Sequence, residues 1–409
     1  MMILLYNIFD NMKKNRVKIK GDFKYINKML LFMSLFYAIM GTLLILDASS
    51  FSSVLYYKLD TPYYFFIRQL GFVIGSFFLT LIIMKIPTSR YKKYSFALSV
   101  GFIGALLYAL FKSSINTSVN EVNLSMFGGR LQPAEFLKVF LIMYMGSYYG
   151  EWANRKKHAP LSFALPLILC ILSALVIFLG GDFGSAAIMI ALYALVFMSV
   201  PSKEKYIKWI KRIACVGLVC AVLILKFAYA IVPEETLKTN YRLNRFIYKN
   251  PCDRYEENSG YQVCNGYIAI DNGGLKGVGI GNSVQKYMYL PASHTDFIFP
   301  IVVEELGVIM GIIIILGYVY IIFLIFRVAV CSSKLQNSII CYGIAIYIML
   351  HIFINLGGVL GLIPLTGVPL PFLSYGGSFC VTLICSLGVV QRINIENEKD
   401  KLSKQIGAD

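Results

Sequence analysis

Charge is what this sequence is short of. Asp, Glu, Lys and Arg make up 15% of its 409 residues, against 57% for the apolar types and 14% for the aromatics, and a soluble domain cannot clothe its surface from so small a supply. Acidic residues are scarcer than basic ones, 22 against 38, which leaves a net charge of +16. Such an excess invites a nucleic-acid partner, but no nucleic-acid-binding pattern is present, and the placement of the charge along the chain explains it otherwise. Histidine is rarer still, with three residues. His294 has no second His or Cys at ligand spacing, which argues against a metal site there and for an orienting or capping role. The apolar start, Met1–Phe9, precedes its basic residues, and no small-residue cleavage site follows it; it does not read as a signal peptide.

Hydrocarbon is what the chain has instead. Apolar runs close to the roughly 17 to 25 residues that cross a bilayer fall at Met29–Leu46, Tyr63–Met84, Ser95–Phe111, Phe136–Tyr149, Leu161–Leu179, Ser185–Val200, Ile210–Val232, Leu306–Val328, Ser338–Asn355 and Ser378–Val390. The fourth and tenth are short, and only GGDFG (Gly180–Gly184) separates the fifth from the sixth, so nine or eight spans are the other counts. Assigning loops to alternate sides places 25 of the 38 Lys and Arg residues on one side, 10 on the other and three (Arg68, Lys138 and Lys226) within spans. The positive-inside rule then puts both termini in the cytoplasm and favours an even number of spans. The expected fold is all-α: a polytopic membrane protein of about ten transmembrane helices. A basic cytoplasmic arm (1–28) precedes the membrane domain (29–392), which carries one large outer loop (233–300) between helices 7 and 8; a cytoplasmic tail (393–409) follows.

With the cytoplasmic loops short and basic, function is expected on the outer face. Charge close to hydrocarbon costs a few kcal/mol or more, so an ionisable group there usually faces a protein cavity. LPASHTDFIFPIVVEELG (Leu290–Gly307) sets His294, Asp296, Glu304 and Glu305 at the mouth of a span. GGRLQPAEFLKV (Gly128–Val139) sets Glu135 and Lys138 three apart on one helical face behind Pro133, close enough to pair. Arg68, five residues into the second span, reads equally as a residue snorkelling outward. GGVLGLIPLTGVPLPFLSYGGSF (Gly357–Phe379) carries too much proline and glycine for a helix and too little polarity for a free loop; it is expected to dip back into the membrane, sheltered by protein. The Gly-rich NGGLKGVGIGNS (Asn272–Ser283) resembles a phosphate cradle only loosely, having no strand before it and no clear helix after it, and a tight turn is the better reading. Seven of the nine cysteines lie in or beside spans, where they act as small apolar groups; Cys252 and Cys264 sit in the outer loop, as a disulfide or as two reduced thiols.

Taken in order, QPAEFLK (Gln132–Lys138), GDFGS (Gly181–Ser185), YRLNR (Tyr241–Arg245), GYQVCNGYIAIDNGGLKGVGIGNSVQK (Gly260–Lys286), LPASHTDFIFPIVVEELG and LIPLTGVPLPFLSYGGS resemble the SEDS family, that of FtsW and RodA, over nearly the whole chain. The resemblance implies an inverting peptidoglycan glycosyltransferase that polymerises glycan strands from lipid II at the outer face of the bacterial cytoplasmic membrane. It implies a class B penicillin-binding protein as transpeptidase partner, alongside other divisome or elongation proteins. It assigns the essential carboxylate to Asp296 and supporting or substrate-binding roles to Glu135, Lys138, Gln132, His294, Ser374 and Ser378. Arg242, Arg245, Arg68 or a divalent cation (Mg or Mn) would neutralise the departing pyrophosphate. The chain departs from the family pattern at Ala134, Ala292 and Phe379. The PCDRYEENSGYQVCNG segment leans toward division-type FtsW; an elongation-type polymerase and a lipid II flippase are the alternatives. A flippase would need polar groups along a path through the bilayer, whereas the cytoplasmic halves of these spans are nearly free of charge, Lys226 apart.

Overall fold

The computed structural model describes residues 23–55, 57–115, 132–153, 162–202, 204–231, 250–255, 258–287, 289–290 and 293–406. Among them no strand occurs, and eleven α-helices account for the architecture: α1 (Lys28–Leu55), α2 (Tyr64–Ile83), α3 (Tyr91–Ile115), α4 (Pro133–Ala153), α5 (Ala164–Leu179), α6 (Phe183–Ser199), α7 (Lys205–Ile231), α8 (Asn258–Gly273), α9 (Ile298–Val330), α10 (Leu335–Val359) and α11 (Gly377–Ile406). Ten correspond to the ten apolar runs; α8 stands in the outer loop. Six are long and apolar enough to cross a membrane by length and composition, and α5 and α6 are shorter apolar helices. Large apolar side chains face outward along them, among them Phe32, Phe36 and Ile39 of α1 and Ile312, Leu316 and Phe323 of α9. In water that arrangement would be an aggregation hazard; in a bilayer it is the lipid-facing surface.

Two boundaries differ from the sequence-based expectation in ways that bear on function. The residues read as a cytoplasmic tail, 393–409, continue α11 through Ile406, with Ile393, Ile395 and Asn397 buried. Polar side chains that suggest a solvated end instead bond neighbouring backbone. Gln391 accepts from the amide of Asn27 and donates to its carbonyl, both at 2.9 Å, Asn394 donates to Tyr25 O at 2.8 Å and Asn397 to Val328 O at 3.2 Å. The described end of the basic arm, from Phe23, is thereby fastened to α11.

The second difference lies in the outer loop. α9 begins at Ile298, eight residues before the expected span, and breaks at Gly307, whose φ of 83° and ψ of 163° interrupt it. The outer stub of α9 and the helix α8 are held together by the Gly-rich segment. Val278 and Gly279 donate to the carbonyls of Glu304 and Glu305 at 2.9 and 3.0 Å, and Val308 donates to Gly274 O at 2.9 Å. The break therefore has its backbone groups satisfied, as depth in a membrane demands. A Cβ on Gly277 would lie 2.1 Å from Glu305 O, which is why the segment needs glycine there. The turn reading holds: these amides point at helix backbone, not at an anion.

The Pro/Gly-rich stretch between α10 and α11 threads into the bundle. Leu370, Phe372, Leu373 and Ser374 are buried; Tyr318 of α9 donates to Pro371 O. The carbonyl of Phe372, itself at φ 64°, presses against Gly41 in the middle of α1, where a Cβ would come within 2.1 Å. Non-helical backbone is thus enclosed by protein on the sides where lipid would leave it unsatisfied.

Candidate active site

The segment ahead of α9 is clamped from below by this re-entrant stretch. Ser374 Oγ donates to Thr295 O at 2.7 Å and accepts from the Leu370 amide at 2.8 Å, while the Tyr375 amide donates to His294 O at 2.9 Å. Asn355 of α10 donates to Asp296 O at 2.9 Å and to Val368 O at 2.8 Å. Ser293 Oγ donates to Ala48 O of α1 at 3.1 Å. The Asp296 side chain, half-buried, lies against Gly367, whose Cβ position would be 3.3 Å from Asp296 Oδ2. Gly367 has φ 71°, so glycine there both permits the turn and leaves room beside the carboxylate.

One residue earlier in the same stretch, Thr366 meets the N-terminus of α6: the Cβ position of Gly184 is 3.0 Å from Thr366 O. Asp182 caps α6 by accepting from the Ser185 amide at 2.9 Å, a role for which Asp is well suited. Its other oxygen accepts from Gln132 Nε2 at 3.2 Å, and the Gln132 amide donates to Ser378 Oγ at 2.8 Å. Asp296, Gly367, Gly184, Asp182, Gln132 and Ser378 thus follow one another by contact along the outer end of the bundle.

Glu135 and Lys138 lie one turn deeper. Lys138 Nζ is 2.7 Å from Glu135 Oε1, with both side chains buried. Tyr347 of α10 donates to Glu135 Oε2 at 3.4 Å and lies 3.5 Å from Thr382 Oγ1 of α11. A buried pair whose remaining lone pairs find donors is the arrangement that offsets desolvation. Phe379, which replaces a family Ser, stacks on the His351 ring with centroids 4.5 Å apart. Ala134 is fully buried in α4.

His294 is buried among Phe65, Tyr57 and Tyr375, with ring centroids 4.4, 5.9 and 5.9 Å away. Burial pushes its pKa down to about 4, so the ring is neutral at pH 7. Its ring packs face and edge within this aromatic cluster beside the segment that carries Asp296. Arg68 lies over the Tyr64 ring at 4.6 Å, and Tyr64 packs edge-on against Phe65, which places Arg68 beside this aromatic cluster. Arg242 and Arg245 lie outside the described residues. Cys252 and Cys264 are joined as a disulfide that ties the short helix Pro251–Arg254 to α8.

The sequence reading gave no role to a second buried network. Lys286 Nζ bridges Asp47 of α1 at 2.8 Å and Glu305 of α9 at 2.7 Å. Burial disfavours its charge, but hydrogen bonds to the two carboxylates outweigh that and hold Lys286 above the usual lysine range. Glu304, fully buried, accepts from Ser283 Oγ and from the amides of Val284 and Gln285 at 3.2 and 3.3 Å. The sequence reading assigns no role to Tyr347, His351 or Asn355 either. Their signal was legible: His351 and Asn355, four apart in an apolar run, share a helical face.

Residues 27–399 match the family model described as "Cell cycle protein", that of FtsW, RodA and SpoVE. A Bacillus subtilis (strain 168) protein named "Probable peptidoglycan glycosyltransferase FtsW" is 33% identical over 373 residues, spanning 88% of this chain and 90% of that one. A Marinomonas mediterranea protein of the same name is 31% identical over 407 residues, spanning 97% and 94%. Two solved structures share the fold. A chain from work described as "Structural coordination of polymerization and crosslinking by a peptidoglycan synthase complex" superposes with a TM-score of 0.67 at 20% identity, covering 91% of this chain and 98% of that one. The rod shape determining protein RodA of Thermus thermophilus superposes with a TM-score of 0.60 at 19% identity, covering 90% and 96%.

Proposed function

This chain belongs to the FtsW, RodA and SpoVE family, and from that membership we infer that it is a multi-pass membrane peptidoglycan glycosyltransferase of the septal, FtsW type. It polymerises glycan strands from lipid II at the outer membrane face. Curated relatives named peptidoglycan glycosyltransferase FtsW, matched over 88% and 97% of the chain, support the activity and its division role. Within the molecule, the observation that carries the reading is Asp296: a half-buried carboxylate against Gly367, on backbone pinned by Asn355 and Ser374.

Joining two sugars requires the acceptor's 4-hydroxyl to attack the donor's anomeric carbon as the lipid pyrophosphate leaves. Asp296 is positioned to accept the hydroxyl proton, a contribution of typically 10²–10⁴-fold. The Glu135–Lys138 pair, with Tyr347 on its second oxygen, supports the floor on which Gln132 and Asp182 present polar atoms. Arg68, Arg242 and Arg245 are the candidate cations for the pyrophosphate. No three His, Cys, Asp or Glu side chains converge among the described residues, so a closed protein cage for a metal is not part of this proposal. A Mg or Mn ion would fit as magnesium usually does, through one carboxylate and the substrate's phosphates. Asp182 is the residue we assign to hold it, and the ion would supply charge neutralisation of the leaving pyrophosphate.

A class B penicillin-binding protein is the proposed partner, in keeping with the synthase complex whose chain shares this fold. The test is purified protein with labelled lipid II, alone and with its transpeptidase. Glycan chains that vanish with Asp296→Asn support the reading, and lipid II movement across vesicles without chain synthesis would replace it with a flippase.

A further inference from the structure

A trough of about 660 Å³ lies between α2, α3, α4 and α11 and runs away from the Asp296 end of the bundle. Its walls are apolar, with Ile82, Leu98, Phe140 and Val389 among them, and its mouth is formed by Lys85 and Arg90. The level of this trough follows from neighbouring contacts. α2 and α11 run side by side in one direction, since the Gly376 amide meets Gln69 Oε1 at 3.4 Å and Arg392 meets Met84 O at 3.1 Å. From Thr382 to Val389 the trough therefore descends with α2 to Lys85, in the loop that the positive-inside rule assigns to the cytoplasm. Seven residues of helix rise about 10 Å, most of one leaflet of a hydrocarbon core about 30 Å thick.

Among the described residues, the carboxylates near the mouth are taken by other cations. Lys92 pairs with Glu151, and Glu396 is taken by Arg392, Lys334 and Thr88. Among the described residues no carboxylate lies within ion-pair distance of Lys85 or Arg90. Two exposed cations above an apolar slot are complementary to a molecule with an anionic head and hydrocarbon chains. The end of the slot away from Lys85 and Arg90 is lined by Thr382 and Phe136, neighbours of the Tyr347–Glu135 contact, so an occupant would buttress the helices that carry that pair.

We propose that this trough holds the acyl chains of an acidic phospholipid of the inner leaflet, with its phosphate at Lys85 and Arg90. The lipid-linked sugar donor does not suit the slot, because the polymerisation site lies at the outer end while the cations lie at the inner one. The assignment is independent of the polymerase reading, since it is measured without that substrate.

The experiment is native mass spectrometry of the full chain in mild detergent, titrated with palmitoyl-oleoyl phosphatidylglycerol, with the matching phosphatidylcholine and with undecaprenyl phosphate. One phosphatidylglycerol is expected to bind well ahead of the other two. Lys85→Gln with Arg90→Gln should weaken it about 30-fold, from about 1 kcal/mol per cation near a membrane surface at 1.4 kcal/mol per tenfold. Ala97→Trp, which fills the slot and keeps both charges, should release it as well. Both cations are solvent-exposed, so the charge variant folds and decides the matter even if the Trp variant does not. Equal binding of phosphatidylglycerol and phosphatidylcholine, unchanged affinity in the charge variant, or preference for undecaprenyl phosphate overturns the proposal.

Discussion

The side-chain amide of Asn355 holds the backbone carbonyl of Asp296 at 2.9 Å and that of Val368 at 2.8 Å, so one residue of α10 ties the acidic segment to the re-entrant stretch. The backbone that carries the carboxylate is therefore held by a side chain 59 residues away in sequence. Preorganised backbone of this kind is what lets a single acid act without reorganising during reaction.

Asp296→Asn is expected to cut polymerisation by two to four orders of magnitude while leaving the protein folded, because the amide keeps the shape but cannot take a proton. Chain length on gels of labelled product, beside size-exclusion profiles, checks both halves. Near-normal synthesis would remove Asp296 from its role.

Glu135→Gln and Lys138→Met should each cost about 3–5 kcal/mol, since each leaves one buried charge uncompensated. The double variant should cost less than the sum. Thermal unfolding of the four proteins closes the cycle, and strict additivity would mean that the 2.7 Å contact has no energetic content.

Lys286→Met leaves Asp47 and Glu305 facing each other without their shared cation. The outer loop should loosen from α1, with a lower melting temperature and faster proteolysis between α8 and α9. Restoration by Glu305→Gln on top of Lys286→Met would show that repulsion, not lost packing, was the cause.

His294 predicts a particular pH dependence. Its folded pKa of about 4 lies below the unfolded 6.5, so the unfolded chain binds more protons between those values and stability rises with pH there. The contribution, up to about 3 kcal/mol at 1.36 per unit, is complete above about pH 6.5 and is lost as pH falls toward 4. Melting temperature against pH should flatten across that window in His294→Phe, and an unchanged slope would mean that other groups set it.

Cys252→Ser with Cys264→Ser should lower stability by up to about 3 kcal/mol in the chain-entropy model, with activity retained in part, because the bridge anchors α8 and does not touch Asp296. Peptide mapping without reduction shows the bond directly; two alkylatable thiols would mean that it does not form.

How far the fold was legible from sequence depends on what carried each element. The ten spans announce themselves because hydrocarbon thickness sets their length, and the dip at Gly357–Phe379 because proline and glycine cannot continue a helix there. Glu135 and Lys138 were legible as neighbours because three residues bring side chains onto one face. The helix α8 was not, since it carries glycine, asparagine and no continuous apolar stripe. The helical continuation to Ile406 was hidden too, because Gln391, Asn394 and Asn397 read as solvated until their backbone partners are seen. Lys286 and Asp47 lie 239 residues apart, and no local pattern announces a pair at that distance.

That separation is typical of what α1 does. Its described polar and closest contacts reach far down the chain: Tyr37 donates to Ile314 O, Gly41 receives Phe372 O, Asp47 meets Lys286, and Asn27 just ahead of it bonds Gln391. At translation rates of roughly 5–20 residues per second, the first membrane helix waits tens of seconds for the partners that seat it. During assembly the notch at Gly41 stands open until the re-entrant stretch has entered the bilayer, so α1, made long before its partners, is among the last to be locked in place.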